Sequence, residues 1–165
     1  MSSKKFSYGK DKLTYRIAIK IAVGEVRTMI DSSQSEKIME SRKKVESISS
    51  SNNTVYGINT GFGALCNTII SSEDSNLLQE NLLKSHAVGV GKKVPKIISK
   101  LMMIIKVHSL SMGHSGVRID IIDRICWHIK NNILPAVPIK GSVGASGDLA
   151  PLAHLFLPLI GEGDV

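Results

Sequence analysis

IKGSVGASGDLAPLAHL, residues 139–155, packs three glycines and two serines into positions 141–147, then gives a carboxylate at Asp148 and an apolar run with helical spacing. A loop of this composition either brings its backbone close to a ligand or does chemistry with that backbone. Phosphate-binding and nucleophile motifs do not fit. A Walker A loop ends in Gly-Lys-Ser/Thr, whereas Gly147 is followed by Asp148, which repels phosphate. Gly144-Ala145-Ser146-Gly147-Asp148 lacks the last glycine of a G-x-S-x-G elbow. A dinucleotide fingerprint needs a preceding strand, and the sequence before the loop reads as a Pro-rich turn after a helix. Two readings of the residues remain. In the plainer one the loop is a flexible connection, Asp148 is a charge at a helix N-terminus, and Pro151 sits in the first turn. In the sharper one the amide nitrogen of Gly147 attacks the carbonyl carbon of Ala145 and closes a five-membered ring. Loss of water from the ring and of the Ser146 hydroxyl as a second water leaves an exocyclic methylidene. Glycine supplies an unhindered nitrogen, serine a β-hydroxyl to eliminate, and alanine a small group for a tight turn.

Outward from this loop the chain reads as mainly α. Residues 14–23 predict a short helix ended by Gly24, and Val26–Ile30 a short strand. Ser33-x-x-Glu36 has the form of a capping box, opening a helix in which Ile38, Val45 and Ile48 recur to about Ser49. SSSNNTVYGINTGFGALCN, residues 49–67, is a long loop. Residues 73–86 predict a helix with Leu78, Leu82 and His86 along one face. AVGVGKKVP (87–95) reads as a break. Residues 96–111 and 117–131 read as two apolar helices, the second with Val117, Ile121, Ile125 and Ile129 on one face. NNILPAVPIK (131–140) leads into the glycine loop. The last helix has nothing after it in the sequence to pack on, so 1–165 is expected to be a single domain from a longer protein.

Hydrophobic residues make up 42% of the 165 and aromatics only 4%, which predicts an aliphatic core of helix on helix. The net charge of +7 is spread along the chain without interleaved aromatics, so a solvated basic surface is expected rather than a nucleic-acid partner. Cys66 and Cys126 are far apart and form no CxxC, as expected of reduced thiols in a cytoplasmic protein. Lys20 interrupts the apolar run near the start, which argues against a secretory signal, and no stretch approaches the ~18 apolar residues of a membrane span. His108, His114, His128 and His154 lack metal-ligand spacing, so no metal is expected.

GSVGASGDLAPLAH (141–154) resembles the active-site motif of the aromatic amino-acid ammonia-lyases, VYGINTGFG (55–63) their catalytic tyrosine loop, and SLSMGHSGVR (109–118) a third segment of that family. The likeness runs from about residue 13 to the end. It implies that Ala145, Ser146 and Gly147 form a 4-methylideneimidazole-5-one (MIO) electrophile, and that Tyr56 removes a β-proton. Tyrosine ordinarily titrates near pH ~10, so that role calls for nearby positive charge or helix dipoles. The resemblance assigns supporting roles to Asn59, Gly61, Gly63 and Asp148. Ser85-His86 resembles the selectivity pair of the members acting on histidine. His86 would then contact the substrate imidazole, although a helix-end histidine bonded to terminal carbonyls is the plainer reading. The implied reaction converts L-histidine to trans-urocanate and ammonia. The implied assembly is a homotetramer with active sites shared between subunits, its long central helices lying beyond residue 165. His108 and Met112 depart from the family pattern, where other polar residues (Arg and Asn) are expected, and this predicts weaker loop support. Two other readings stand beside this one: a truncated, inactive relative, and a helical binding or assembly module whose glycine loops grip an anion.

Overall fold

The structure, a computed structural model, describes residues 5–51, 54–62, 68–142, 144 and 147–165. Gly63, Cys66, Ala145 and Ser146 lie outside the described residues. At the centre is a helical hairpin of α4 (Lys96–Leu110) and α5 (Ile119–Asn131), which pack on each other. α4 buries Ser99, Met103, Ile104 and Val107, a stripe at helical spacing. α5 turns Ile122, Ile125, His128 and Ile129 into the same core. Ile104, Val107, Ile122 and Ile125 have no exposed surface, and burying such a side chain contributes about 1.5–3 kcal/mol each. The buried face shares Ile125 and Ile129 with the one the sequence suggests and adds Ile122. Val117 precedes the helix and Ile121 is half-buried, because the face toward α4 runs through Ile122, Ile125 and Ile129. Asn132, in the left-handed region at φ 56°, ends α5.

β1 (Phe6–Ser7) lies parallel to β2 (Thr28–Met29), and between them α1 (Tyr15–Ala22) packs Ala18, Ile21 and Ala22 toward α4. Thr14 caps α1 by accepting the Ile17 N–H at 3.3 Å. The next helix, α2 (Ser32–Ser49), is capped by Asp31 rather than by Ser33. Asp31 accepts the Gln34 N–H at 3.0 Å, so the helix begins before the Ser33–Glu36 pair can act as a capping box.

Gln34 then ties three segments together. Its amide nitrogen donates to the Gly9 carbonyl at 2.9 Å and to the Ser111 carbonyl at 3.0 Å, while the Gly9 N–H donates to His108 Nδ1 at 3.1 Å. Gly9 has φ +77° and stands against the Ser111 carbonyl, leaving no space for a Cβ. His108 therefore supports the N-terminal segment.

The remaining elements position the glycine loop. α3 (Ser72–His86) leads to β3 (Val90–Lys93), which pairs antiparallel with β4 (Pro138–Lys140) in register Val90↔Lys140 and Lys93↔Pro138. The two partners of Val90 and Lys93 are two residues apart while Val90 and Lys93 are three apart, so β3 bulges; Gly91 at φ +88° accommodates this. The Val94 N–H donates to the Val137 carbonyl at 2.8 Å and extends the contact toward α4. The segments that the sequence suggests are a break and a Pro-rich turn thus form a ribbon. It is too short and irregular to show alternation, and Pro138 is tolerated at a strand end. α6 (Ala150–Phe156), followed by a 3-10 turn at Leu157–Ile160, buries Ala150, Ala153, Leu155 and Leu157 and packs on α3 and β4. The last helix has its packing partner within the chain, contrary to expectation.

Replacing Gln34 with Leu keeps much of the volume but leaves the half-buried Gly9 carbonyl and the carbonyl of buried Ser111 without this donor. The Gln34→Leu variant is expected to lose roughly 2–4 kcal/mol of unfolding free energy. Urea denaturation measures it; a midpoint within error of the parent chain would contradict this account.

Stability is also expected to fall as pH drops below about 6.5. Burial, opposed by Asp11, holds His108 below its ordinary pKa of 6.5, and burial together with Lys93 does the same for His154. A depressed folded pKa means that the unfolded chain takes up the proton first. The contribution is whole above the unfolded pKa and shrinks as pH falls through that value toward the folded one. Asp31 lies well below the carboxylate range through its bonds to Lys10, Ser33 and the Gln34 N–H, so its own loss begins only below about 4. Thermal melts from pH 8 to 5 test the histidine window, and His108→Gln should flatten part of the slope.

Candidate active site

The tyrosine loop is built around Asn59, which is 3% exposed. Its side-chain oxygen accepts the Val55 N–H at 2.8 Å, its amide nitrogen donates to the Ile48 carbonyl at the end of α2 at 3.4 Å, and its carbonyl accepts the Ile70 N–H at 3.0 Å. The Gly61 N–H donates to the Thr68 carbonyl at 3.2 Å, and Thr60 bridges Ile69. These bonds fix the backbone on the far side of Tyr56. Its ring is 62% exposed and meets Phe62 edge-on at 5.8 Å. The phenol is therefore presented outward from a loop whose base is anchored.

The glycine loop is anchored by Asp148. Its carboxylate accepts the Ser142 N–H at 2.9 Å and the Ala150 N–H at 3.2 Å, joining the loop's entrance to the first turn of α6. The carboxylate occupies the place where a side chain at Gly141 would stand, so a Cβ there would collide with it. Gly141 opens the 141–154 motif but was given no role from sequence; its lack of a side chain makes room for the Asp148 carboxylate, seven residues on. Gly147 has φ +83°, and its N–H donates to the Gly144 carbonyl at 3.0 Å. The two ends of Gly144–Gly147 are thereby held together, with Ala145 and Ser146 outside the described residues.

His86 ends α3. Its Nδ1 lies 2.8 Å from the Leu82 carbonyl and 3.2 Å from Ser85 Oγ. A carbonyl can only accept, so Nδ1 carries the proton and a neutral ring offers Nε2 as an acceptor. The plainer reading of His86, a helix-end histidine on a terminal carbonyl, describes this nitrogen; it leaves the other one for a ligand.

The structure joins the surroundings of His86 to those of the glycine loop. α3 packs on α6, Lys84 approaches Glu162 at 3.7 Å, and the Gly89 N–H donates to His154 Nε2 at 2.9 Å. Tyr56 is not part of this union: among the described residues it has no hydrogen bond, ion pair or ring contact to residues 141–142 or 147–155. A cavity of about 870 Å³ lies elsewhere, between β2 and α5, lined by Tyr8, Thr28, Cys126 and Trp127. Burial, with Asp123 adding to it, pushes the Cys126 thiol up to about 12, which leaves it protonated and a poor nucleophile. Among the described residues no group of three His, Cys, Asp or Glu side chains could hold a metal ion, and no helix is long and apolar enough to cross a membrane.

The sequence and the fold are both shared with known proteins. Histidine ammonia-lyase of Streptococcus pyogenes is 45% identical over 153 residues, which are 93% of this chain and 30% of that protein. The crystal structure of histidine ammonia-lyase from Trypanosoma cruzi superposes with a TM-score of 0.83 at 31% identity, over 97% of this chain and 31% of that one. Tyrosine aminomutase from Streptomyces globisporus superposes with a TM-score of 0.87, also at 31% identity, over 97% of this chain and 30% of that one. The fold is therefore shared by enzymes named for different substrates and reactions, and the chain spans about 30% of the length of these relatives. The family model described as aromatic amino acid lyase matches residues 13–165, and the chain belongs to that family.

Proposed function

We propose that the chain is the part of a cytoplasmic histidine ammonia-lyase that carries the electrophile, and that the whole protein eliminates ammonia from L-histidine to give trans-urocanate. The observation that carries this reading is the Asp148 clamp over Gly141, which fixes the entrance and exit of the loop containing Ala145-Ser146-Gly147. The described flanks fit an MIO group built from those three residues. Gly147 already occupies the left-handed region, Gly144 and Gly147 are held together, and no side chain at Gly141 competes with Asp148. When formed, MIO supplies an electrophile that makes the substrate amine a better leaving group.

The chain's own residues take the remaining roles. Tyr56, outward on its anchored loop, removes a β-proton at its phenolic oxygen. Asn59 and Gly61 hold that loop, Gly63 follows in the same Gly-rich sequence, and Asp148 holds the glycine loop. His86, with Nδ1 bound to Leu82, accepts the substrate imidazole N–H on Nε2. Histidine as substrate is supported by this acceptor and by the 45% identity to the streptococcal histidine ammonia-lyase. That Tyr56 has no hydrogen bond, ion pair or ring contact to residues 141–142 or 147–155 among the described residues supports sites completed between subunits, and the reading includes a homotetramer of the whole protein. Catalysis depends on fine placement of such groups, and ~1 Å of displacement can cost about a hundredfold.

Intact-mass measurement tests the electrophile. A graft in which residues 13–165 replace the matching segment of the streptococcal enzyme should be lighter than its sequence mass by two water molecules. Ser146→Ala should restore the full mass less the serine oxygen and lower turnover by several orders of magnitude; near-parental activity in that variant would sink the assignment.

Substrate choice is tested on the same graft with histidine and phenylalanine. Losing one polar contact in a closed site costs ~1–3 kcal/mol, so His86→Leu should erode the preference for histidine roughly tenfold to a hundredfold. Equal use of phenylalanine by the unsubstituted graft would refute the role of His86.

A further inference from the structure

We propose that His154 is a positioning residue that sets where His86 stands relative to the glycine loop. The inference rests on the histidine-lyase reading and deepens it. His154 belongs to α6, six residues after Asp148, and its Nε2 accepts the N–H of Gly89, three residues after His86, at 2.9 Å. The bond crosses 65 residues of sequence and joins the segment leaving α3 to the helix that follows the loop.

The fit around this bond is close. A Cβ at Gly89 would lie 3.1 Å from the imidazole Cδ2 and Nε2 and 3.2 Å from the Pro138 side chain. Gly89 is thus held between the His154 ring and the first residue of β4, immediately before β3 starts. A side chain there would press on both, and the ring or the proline would have to give by a few tenths of an ångström. Accepting through Nε2 leaves the proton of a neutral ring on Nδ1. Without the acceptor, residues 87–89 keep no other described hydrogen bond to α6, and the last turn of α3 is held there by side-chain packing alone. His86 contacts the substrate at its imidazole, remote from the bond that breaks. Displacing it removes binding felt equally in the ground and transition states, so KM rises while kcat is nearly kept.

The shape of the side chain provides a sharp test, because the terminal amide of glutamine reaches about as far as Nε2 and that of asparagine only as far as Nδ1. In the streptococcal graft, His154→Leu and His154→Asn should raise KM for histidine about tenfold, with kcat within about threefold. His154→Gln should stay within about threefold in both. Hydrogen exchange at the Gly89 amide, read on the same proteins, should be slow with His or Gln and fast with Leu or Asn. An unchanged KM in His154→Leu, a fall in kcat alone, or equal Gly89 protection in all four proteins would overturn the proposal. A graft that never turns over histidine would remove the lyase reading instead, and Gly89 exchange would still decide whether His154 holds the segment.

Discussion

The β3–β4 ribbon is the constraint on which the candidate site depends. Because α4 and α5 form a hairpin, the chain entering α4 and the chain leaving α5 arrive at the same end of the molecule. Those segments pair as Val90↔Lys140 and Lys93↔Pro138, with Val94 bonded to Val137 beyond them. The ribbon is fixed to a hydrophobic core whose central residues have no exposed surface. Whatever precedes β3 is then placed beside whatever follows β4. His86 and Gly89 lie on one side of this junction and Gly141 and Asp148 on the other. Packing of two aliphatic helices thus brings together two loops that are more than fifty residues apart in sequence.

Two glycine–histidine pairs use the same device in different places. Gly9 donates to His108 Nδ1 and Gly89 to His154 Nε2, at 3.1 and 2.9 Å. In each, an imidazole takes a backbone N–H that lies outside the regular helices and strands. The ring must be neutral at the accepting nitrogen, and burial favours that form. A histidine in this role gives a long reach and a rigid acceptor, but one that weakens on protonation. The N-terminal segment and the segment after His86 consequently share a sensitivity to the same pH range.

The helices were legible in sequence because each carries enough apolar residues at helical spacing, and the glycine loop because its composition has few physical uses. The capping residue of α2 was not, since Asp31 and Ser33 are both good caps and only the backbone path selects between them. The buried face of α5 was legible at Ile125 and Ile129 but not at Ile122, because Ile121 and Ile122 are both apolar and the choice lies with α4. β3 and β4 are too short, and the bulge at Gly91 breaks what alternation exists. Gly141 and His154 escaped motif reading for another reason. Their partners, Asp148 and Gly89, are set by the path of the chain in space.

The contact that gathers the ends of the Gly144–Gly147 stretch has a particular consequence for the proposed cyclisation. The donor in that contact is the Gly147 N–H, 3.0 Å from the Gly144 carbonyl. In the proposed ring the Gly147 nitrogen is bonded to the Ala145 carbon and keeps no hydrogen, so this bond belongs to the uncyclised chain alone. The Asp148 contacts use the amides of Ser142 and Ala150, neither of which takes part in the ring. On the proposed cyclisation the Gly147–Gly144 bond would therefore be given up, while the two Asp148 bonds would keep the loop attached to α6. Gly144 is exposed, so its carbonyl can turn to water when its donor is lost, without leaving a buried acceptor unsatisfied. The division of labour between a transient contact and a permanent clamp follows from which nitrogen does the chemistry.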